Sequence, residues 1–145
     1  MNHYYLGEAF GLSMFPLIKS KDRLYVEKPK FNKIHIGDII VYYNHRKLIS
    51  HRVIWKNSQH YIVKGDNNYF IDPPVTHSQI LGKLNYIENR QYHIRLNSYK
   101  ASVIKYCFLL YSLIPYVSFK IIIKIFRGRK FIVKLISKQN YVQVK

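Results

Sequence analysis

The sequence predicts a mainly β protein: a small antiparallel β-sandwich or barrel-like domain carrying a basic, helical C-terminal appendage. Three observations predict it. Tyrosine, isoleucine and valine are abundant, with 14 Tyr among 145 residues, and such side chains fit the pleated surface of a strand. Short apolar or alternating runs recur between turn-forming residues up to about residue 97. Beyond that point the acids stop. Residues 1–88 carry 12 Lys/Arg against all seven acids, a net of +5, whereas residues 89–145 carry 12 Lys/Arg and no acid, a net of +12.

The strands follow in order. "RLYVE" (23–27) alternates and runs out at Pro29, and "GDIIVYY" (37–43) follows a Gly-Asp turn. The short polar link "NHRK" leads into "KLISHRVIW" (47–55), so these two read as a hairpin. "HYIVKG" (60–65) enters the loop "DNNYFIDPP", rich in Asp, Asn and Pro and poor in regular structure. "ILGKLNYI" (80–87) and "YHIRLN" (92–97) complete six or seven strands, a spacing that suggests a sandwich or barrel. The division falls near residue 98, giving a β domain over 1–98 and a basic, apolar segment over 99–145.

That segment is expected to be helical and membrane-associated. "YCFLLYSLIPYVSF" (106–119) is apolar for only 14 residues, against the roughly 20 that a spanning helix needs. The cations at 120, 124, 127, 130, 134 and 138 then recur about once per helical turn. They form a basic stripe opposite Ile121, Ile122, Ile125, Leu135 and Ile136, the pattern of a helix lying on an anionic surface. The plain alternative is a solvated face of a helix packed on the domain.

Composition narrows the chemistry. Hydrophobic residues at 48% exclude a disordered chain. The single Cys107 forms no internal disulfide, and no Cys/His cluster points to zinc, so neither a metal nor a cofactor is expected. What remains is a serine planted in an apolar run, "GLSMFPLI" (11–18), with Pro16 keeping Ser13 out of a helix. His51 lies on a strand in "HRVI", and Asp66 and Asp72 lie in the constrained loop "KGDNNYFID". A hydroxyl, an imidazole and a carboxylate are the parts of a nucleophile, its base and the group that orients the base. Each has a bland reading as a core hydroxyl, a strand histidine or a turn former. Their order carries the case.

That order resembles the signal peptidase I superfamily of serine peptidases. "SMFP" is similar to its Ser-Met-x-Pro nucleophile box, and "GDIIVYY" to its Gly-Asp strand. "HRVI" resembles the base box in its archaeal and endoplasmic-reticulum form, with His where bacterial enzymes have Lys, and "KGDNN…D" resembles the acidic box of that form. The resemblance covers roughly residues 9–88. It implies an endopeptidase with Ser13 as nucleophile, His51 as general base, Asp72 as the third member and Asp66 holding the loop and the local charge. It implies a precursor peptide as substrate, bound as an extended strand at a sheet edge with small side chains before the cut. The chain departs from the pattern at Gly11, where the family commonly has a serine that assists the oxyanion hole. The hole is then expected to rest on backbone N–H groups, chiefly that of Ser13.

Family members usually begin with a spanning helix, whereas "MNHYYLGEAFGL" before Ser13 reads as neither anchor nor signal peptide. The expected location is therefore the cytoplasmic face of the membrane, held peripherally on anionic lipid. A span over 103–126 is the alternative, and a partner protein that supplies an anchor is a further candidate. Self-cleaving repressors share the serine fold but use a lysine base behind a DNA-binding domain, which His51 argues against. The rival from another class is a non-catalytic basic module that binds anionic membrane or nucleic acid. Against it, a binding module has no need of Ser13, His51 and Asp72 in that order, and nucleic acid is not an expected partner.

Overall fold

The computed structural model describes residues 4–28, 33–96 and 99–113. It contains β1 (Tyr4–Glu8), β2 (Arg23–Glu27), β3 (Ile39–Asn44), β4 (Lys47–Lys56), β5 (His60–Lys64), β6 (Val75–Thr76), β7 (Ile80–Asn89), β8 (Tyr92–Arg95) and one helix, α1 (Tyr99–Leu113). The protein is mainly β, as the composition predicts. All the strands join one open antiparallel sheet in the order β1-β2-β7-β3-β4-β5-β6, with β8 also paired to β7. Six strands fall where the sequence places them, and β1 and β6 are additions.

β3 explains how one sheet serves two cores. Its side chains alternate across the sheet, so Ile39 and Val41 enter one cluster while Ile40 and Tyr42 enter the other. The first cluster gathers Met14, Leu17 and Ile18 from the segment after Ser13, together with Leu24, Val26, Leu84 and Ile87. The second gathers Val53, Tyr61, Val63 and Val75. Each such side chain, once buried, contributes roughly 1.5–3 kcal/mol of transfer free energy. A two-residue turn, His45–Arg46, closes the β3–β4 hairpin with His45 at φ +53°.

Helix α1 begins one residue past the expected boundary and forms a wall of the β domain. Ile104, Phe108 and Tyr111, spaced to share one helical face, pack into the first core, where Phe108 is almost fully buried. Lys105 Nζ pairs with Asp38 Oδ1 at 2.7 Å, and Lys64 Nζ donates to the Ser112 carbonyl at 2.5 Å. Burial lowers the pKa of Lys64 below the usual lysine value. The opposite face leaves Val103, Tyr106, Leu110 and Leu113 exposed. Among the described residues, no helix is long and apolar enough to cross a membrane. The expected basic stripe over 120–138 and most of the alternative span over 103–126 lie outside the described residues.

Burial also pushes the phenol of Tyr61 up to about 12, and those of Tyr42 and Tyr111 further in the same direction. Raised folded pKa values mean that the folded state keeps these protons where the unfolded chain, near 10.0, has begun to lose them. The stability linked to them is present below pH 10 and declines as pH rises through the raised values. Tyrosinate absorbance should therefore rise in two phases, the later coinciding with loss of the β circular-dichroism signal. A single phase with the fold intact would contradict the burial.

Candidate active site

The site is built where β4 loses its partner. β4 pairs with β3 from Lys47 to Arg52, but β5 covers it only from Arg52, opposite Lys64, to Lys56. Among the described residues, no strand pairs with the other edge of residues 47–51. β5 ends there, and the Gly65 turn brings in the segment that carries Ser13. The Asn67 N–H donates to the Ser13 carbonyl at 2.7 Å, and Asn67 Nδ2 donates to the Leu12 carbonyl at 3.1 Å.

Gly65 is what lets these segments touch. A Cβ at residue 65 would stand 2.8 Å from the Ser13 carbonyl oxygen and 2.8 Å from the Asn68 side chain. Backbone cannot yield as a flexible side chain can, so a methyl group here must move Ser13. Gly65→Ala should retain a cooperative fold, yet any activity that depends on Ser13 should fall by about 100-fold or more, since misplacement of about 1 Å has that cost. Unchanged activity would show that the contact does not position Ser13.

His51 is almost fully buried, with Ile40 as its cross-strand partner. Its Nδ1 shares a short hydrogen bond with Asp72 Oδ2, and the Tyr42 hydroxyl donates to the same oxygen at 3.1 Å. Desolvation, and then the neighbouring Asp72 charge, hold the Tyr42 phenol protonated far above its usual range. Tyr42 therefore remains a donor to Asp72 at any working pH. The backbone N–H of Asp72 donates to the Val63 carbonyl at 3.0 Å, which ties the loop to β5.

Asp66 has a different partner. Arg52 Nε and NH2 donate to its two carboxylate oxygens at 2.7 and 2.6 Å, while NH1 donates to the Gly37 carbonyl at 2.8 Å. The guanidinium also lies 5.5 Å from the centre of the Phe108 ring on α1. Both side chains of this ion pair are buried, and the planar fork suits bidentate pairing. The two acids thus divide: Asp72 contacts the histidine, and Asp66 fixes the loop through Arg52.

Ser13 and His51 line one cleft of about 560 Å³, together with Gly11, Asn68 and the inner residues of β1. The structure has no hydrogen bond between Ser13 and His51, and it places them in one cavity rather than in contact. The Ser13 N–H donates to no described residue. Gly11, at φ +88°, has open space around it, so the loop turns there without a side chain. Among the described residues β1 is an end strand of the sheet and pairs only with β2, so the cleft is flanked by two edges without a described partner, β1 and the first half of β4. Among the described residues, no three His, Cys, Asp or Glu side chains gather as a metal site.

The sequence pattern assigns no role to Tyr42 or Arg52, nor to Gly65 and Asn67 inside the "KGDNN" box. Arg52 was visible as a cation among apolar residues on a strand, one position from His51. Nothing local marked Tyr42, whose role arises from pairing across the hairpin. Compared with known proteins, the chain matches no protein-family model, no curated protein and no solved structure.

Proposed function

We propose that the protein is a serine endopeptidase that cleaves a leader or signal-type segment from a precursor peptide. One observation carries the reading: Ser13 and His51, the latter bonded to Asp72, line a single cleft bordered by strand edges that have no partner among the described residues. An extended peptide can add its main chain to such an edge. Ser13 Oγ attacks the scissile carbonyl carbon while His51 Nε2 accepts its proton, and Asp72 stabilises the imidazolium formed. The oxyanion is held by backbone N–H groups, chiefly that of Ser13. Collapse expels the amine, which takes the proton from His51. Water, deprotonated by His51, then hydrolyses the acyl-enzyme and regenerates Ser13.

In the free protein the Ser13–His51 hydrogen bond is unmade. Such bonds often tighten only in the substrate complex, and a peptide closing the cleft supplies that step. The test is cleavage of a library of apolar precursor peptides, read by mass spectrometry, with wild type and Ser13→Ala. Cleavage that disappears with the hydroxyl supports the reading. Cleavage by neither protein, with both folded, removes it.

The proposed place of action is the cytoplasmic face of a membrane, held peripherally. The acid-free basic stretch over 89–145 supports it, since anionic lipid attracts at about 1 kcal/mol per nearby cation. The exposed apolar face of α1 supports it as well. Recovery of the β domain in a form open to protease from outside the cell would end that placement. The net charge of +17 also favours a second reading, a non-catalytic module for anionic membrane or nucleic acid. Salt-dependent binding together with unaltered function of Ser13→Ala would select it.

A further inference from the structure

The cleft holds a second hydroxyl that the proposed chemistry does not use. Ser50 lines it beside His51 and is half-buried. The β-sheet register settles which way its side chain points. Ser50 lies opposite Val41 in the β3–β4 pair, and directly opposed residues share a face. Val41 belongs to the core that forms the cleft floor with Met14, Ile18 and Leu24, all of which line the cavity. The Ser50 hydroxyl therefore stands on that floor, whereas His51, which also lines the cleft, directs its Nδ1 towards Asp72 beside Tyr42. The Ser50 side chain makes no hydrogen bond to any described residue. Most of the lining around it is apolar, with Leu48 two residues away on the same face of β4, and Glu8 and Asn68 are polar members of the same cleft.

A polar group of this kind is satisfied by water while the cleft is empty. A peptide side chain seated against it expels that water. An alanine or valine then leaves the hydroxyl without a partner, whereas a serine or threonine replaces the lost hydrogen bond. Sites that must pair a buried polar group discriminate more strongly than apolar pockets do.

We infer that Ser50 sets specificity, so that the preferred substrate carries a small hydroxyl-bearing residue, Ser or Thr, at the position seated on the cleft floor. This rests on the peptidase reading above. It assigns a substrate class to the same site: an extended peptide that is apolar except for one hydroxyl near the cut.

The test uses the full chain and peptides in which each of the four positions before the cut is varied among Ser, Thr, Ala and Val. The readout is the ratio of kcat/KM between Ser- and Ala-bearing peptides. Wild type should prefer Ser or Thr by about tenfold at one position. Ser50→Val should reverse the preference there, and Ser50→Thr, which keeps the hydroxyl, should preserve it. Cleavage with the same preferences in wild type and Ser50→Val overturns the inference and leaves the peptidase reading standing. Cleavage of no peptide by the wild type overturns both.

Discussion

Asp66→Ala should lose about 3–5 kcal/mol of stability, because removing one member of a buried ion pair strands the other charge. The stranded group is the Arg52 guanidinium, which would keep only the Gly37 carbonyl and the face of Phe108. Its relocation to water would require opening the packing between α1 and the sheet. The loss should appear as a lower urea midpoint with the slope unchanged. Replacing both members by apolar residues, Arg52→Met with Asp66→Leu, should recover much of it. That double replacement separates the cost of an uncompensated charge from the value of the pair itself. A loss below about 1 kcal/mol, the range of an exposed pair, would contradict the burial of this one.

Asp72→Asn should have the opposite profile, with the fold retained and activity lost. The carboxylate oxygen that meets His51 Nδ1 also accepts from Tyr42. An amide at this position favours the wrong imidazole tautomer or leaves the imidazolium without a counter-charge. In the proposed mechanism this should lower kcat by about 10⁴-fold, the magnitude known for the same substitution in another serine protease. Tyr42→Phe removes only the second donor and should cost far less. A peptidase rate in Asp72→Asn within tenfold of wild type would exclude Asp72 as the residue that orients His51.

Much of this arrangement is legible in the chain because local pattern and tertiary environment agree. "RLYVE" alternates and becomes β2 with Leu24 and Val26 buried, and the "IIVY" of β3 reads as a strand covered on both faces. β1 is not legible in the chain, for physical reasons. "YYLGE" combines Gly7 and a charge, its register with β2 shifts between Tyr5 and Gly7, and it is an edge strand with one partner. β6 has only two residues after Pro73 and Pro74 and pairs with β5 alone. Its strand character comes entirely from that neighbour.

The helix illustrates a different limit. Ile104, Phe108 and Tyr111 are plain in the sequence, but composition alone cannot say whether such a face meets lipid or protein. Here it meets the sheet, fastened by Lys105 on Asp38 and Lys64 on the Ser112 carbonyl. At the site, the order Ser13, His51, Asp72 is readable in the chain, and the structure brings Asp72 into contact with His51. The resemblance implies the division of labour between the two acids, but not Arg52 as the group that holds Asp66, because the two find each other only across the β4–β5 pair. Ser50 is not legible in the chain, because only the strand register assigns its side chain to the face of Val41.

The central claim is that Ser13 is a serine activated by His51. The most direct measurement is the intact mass of wild type, Ser13→Ala and His51→Ala after exposure to a fluorophosphonate, with a peptide aldehyde alongside. The account predicts one adduct on the wild type, mapped to Ser13, and none on either variant while both remain folded. Equal labelling of wild type and His51→Ala, or no adduct from either probe on folded wild type, would contradict it.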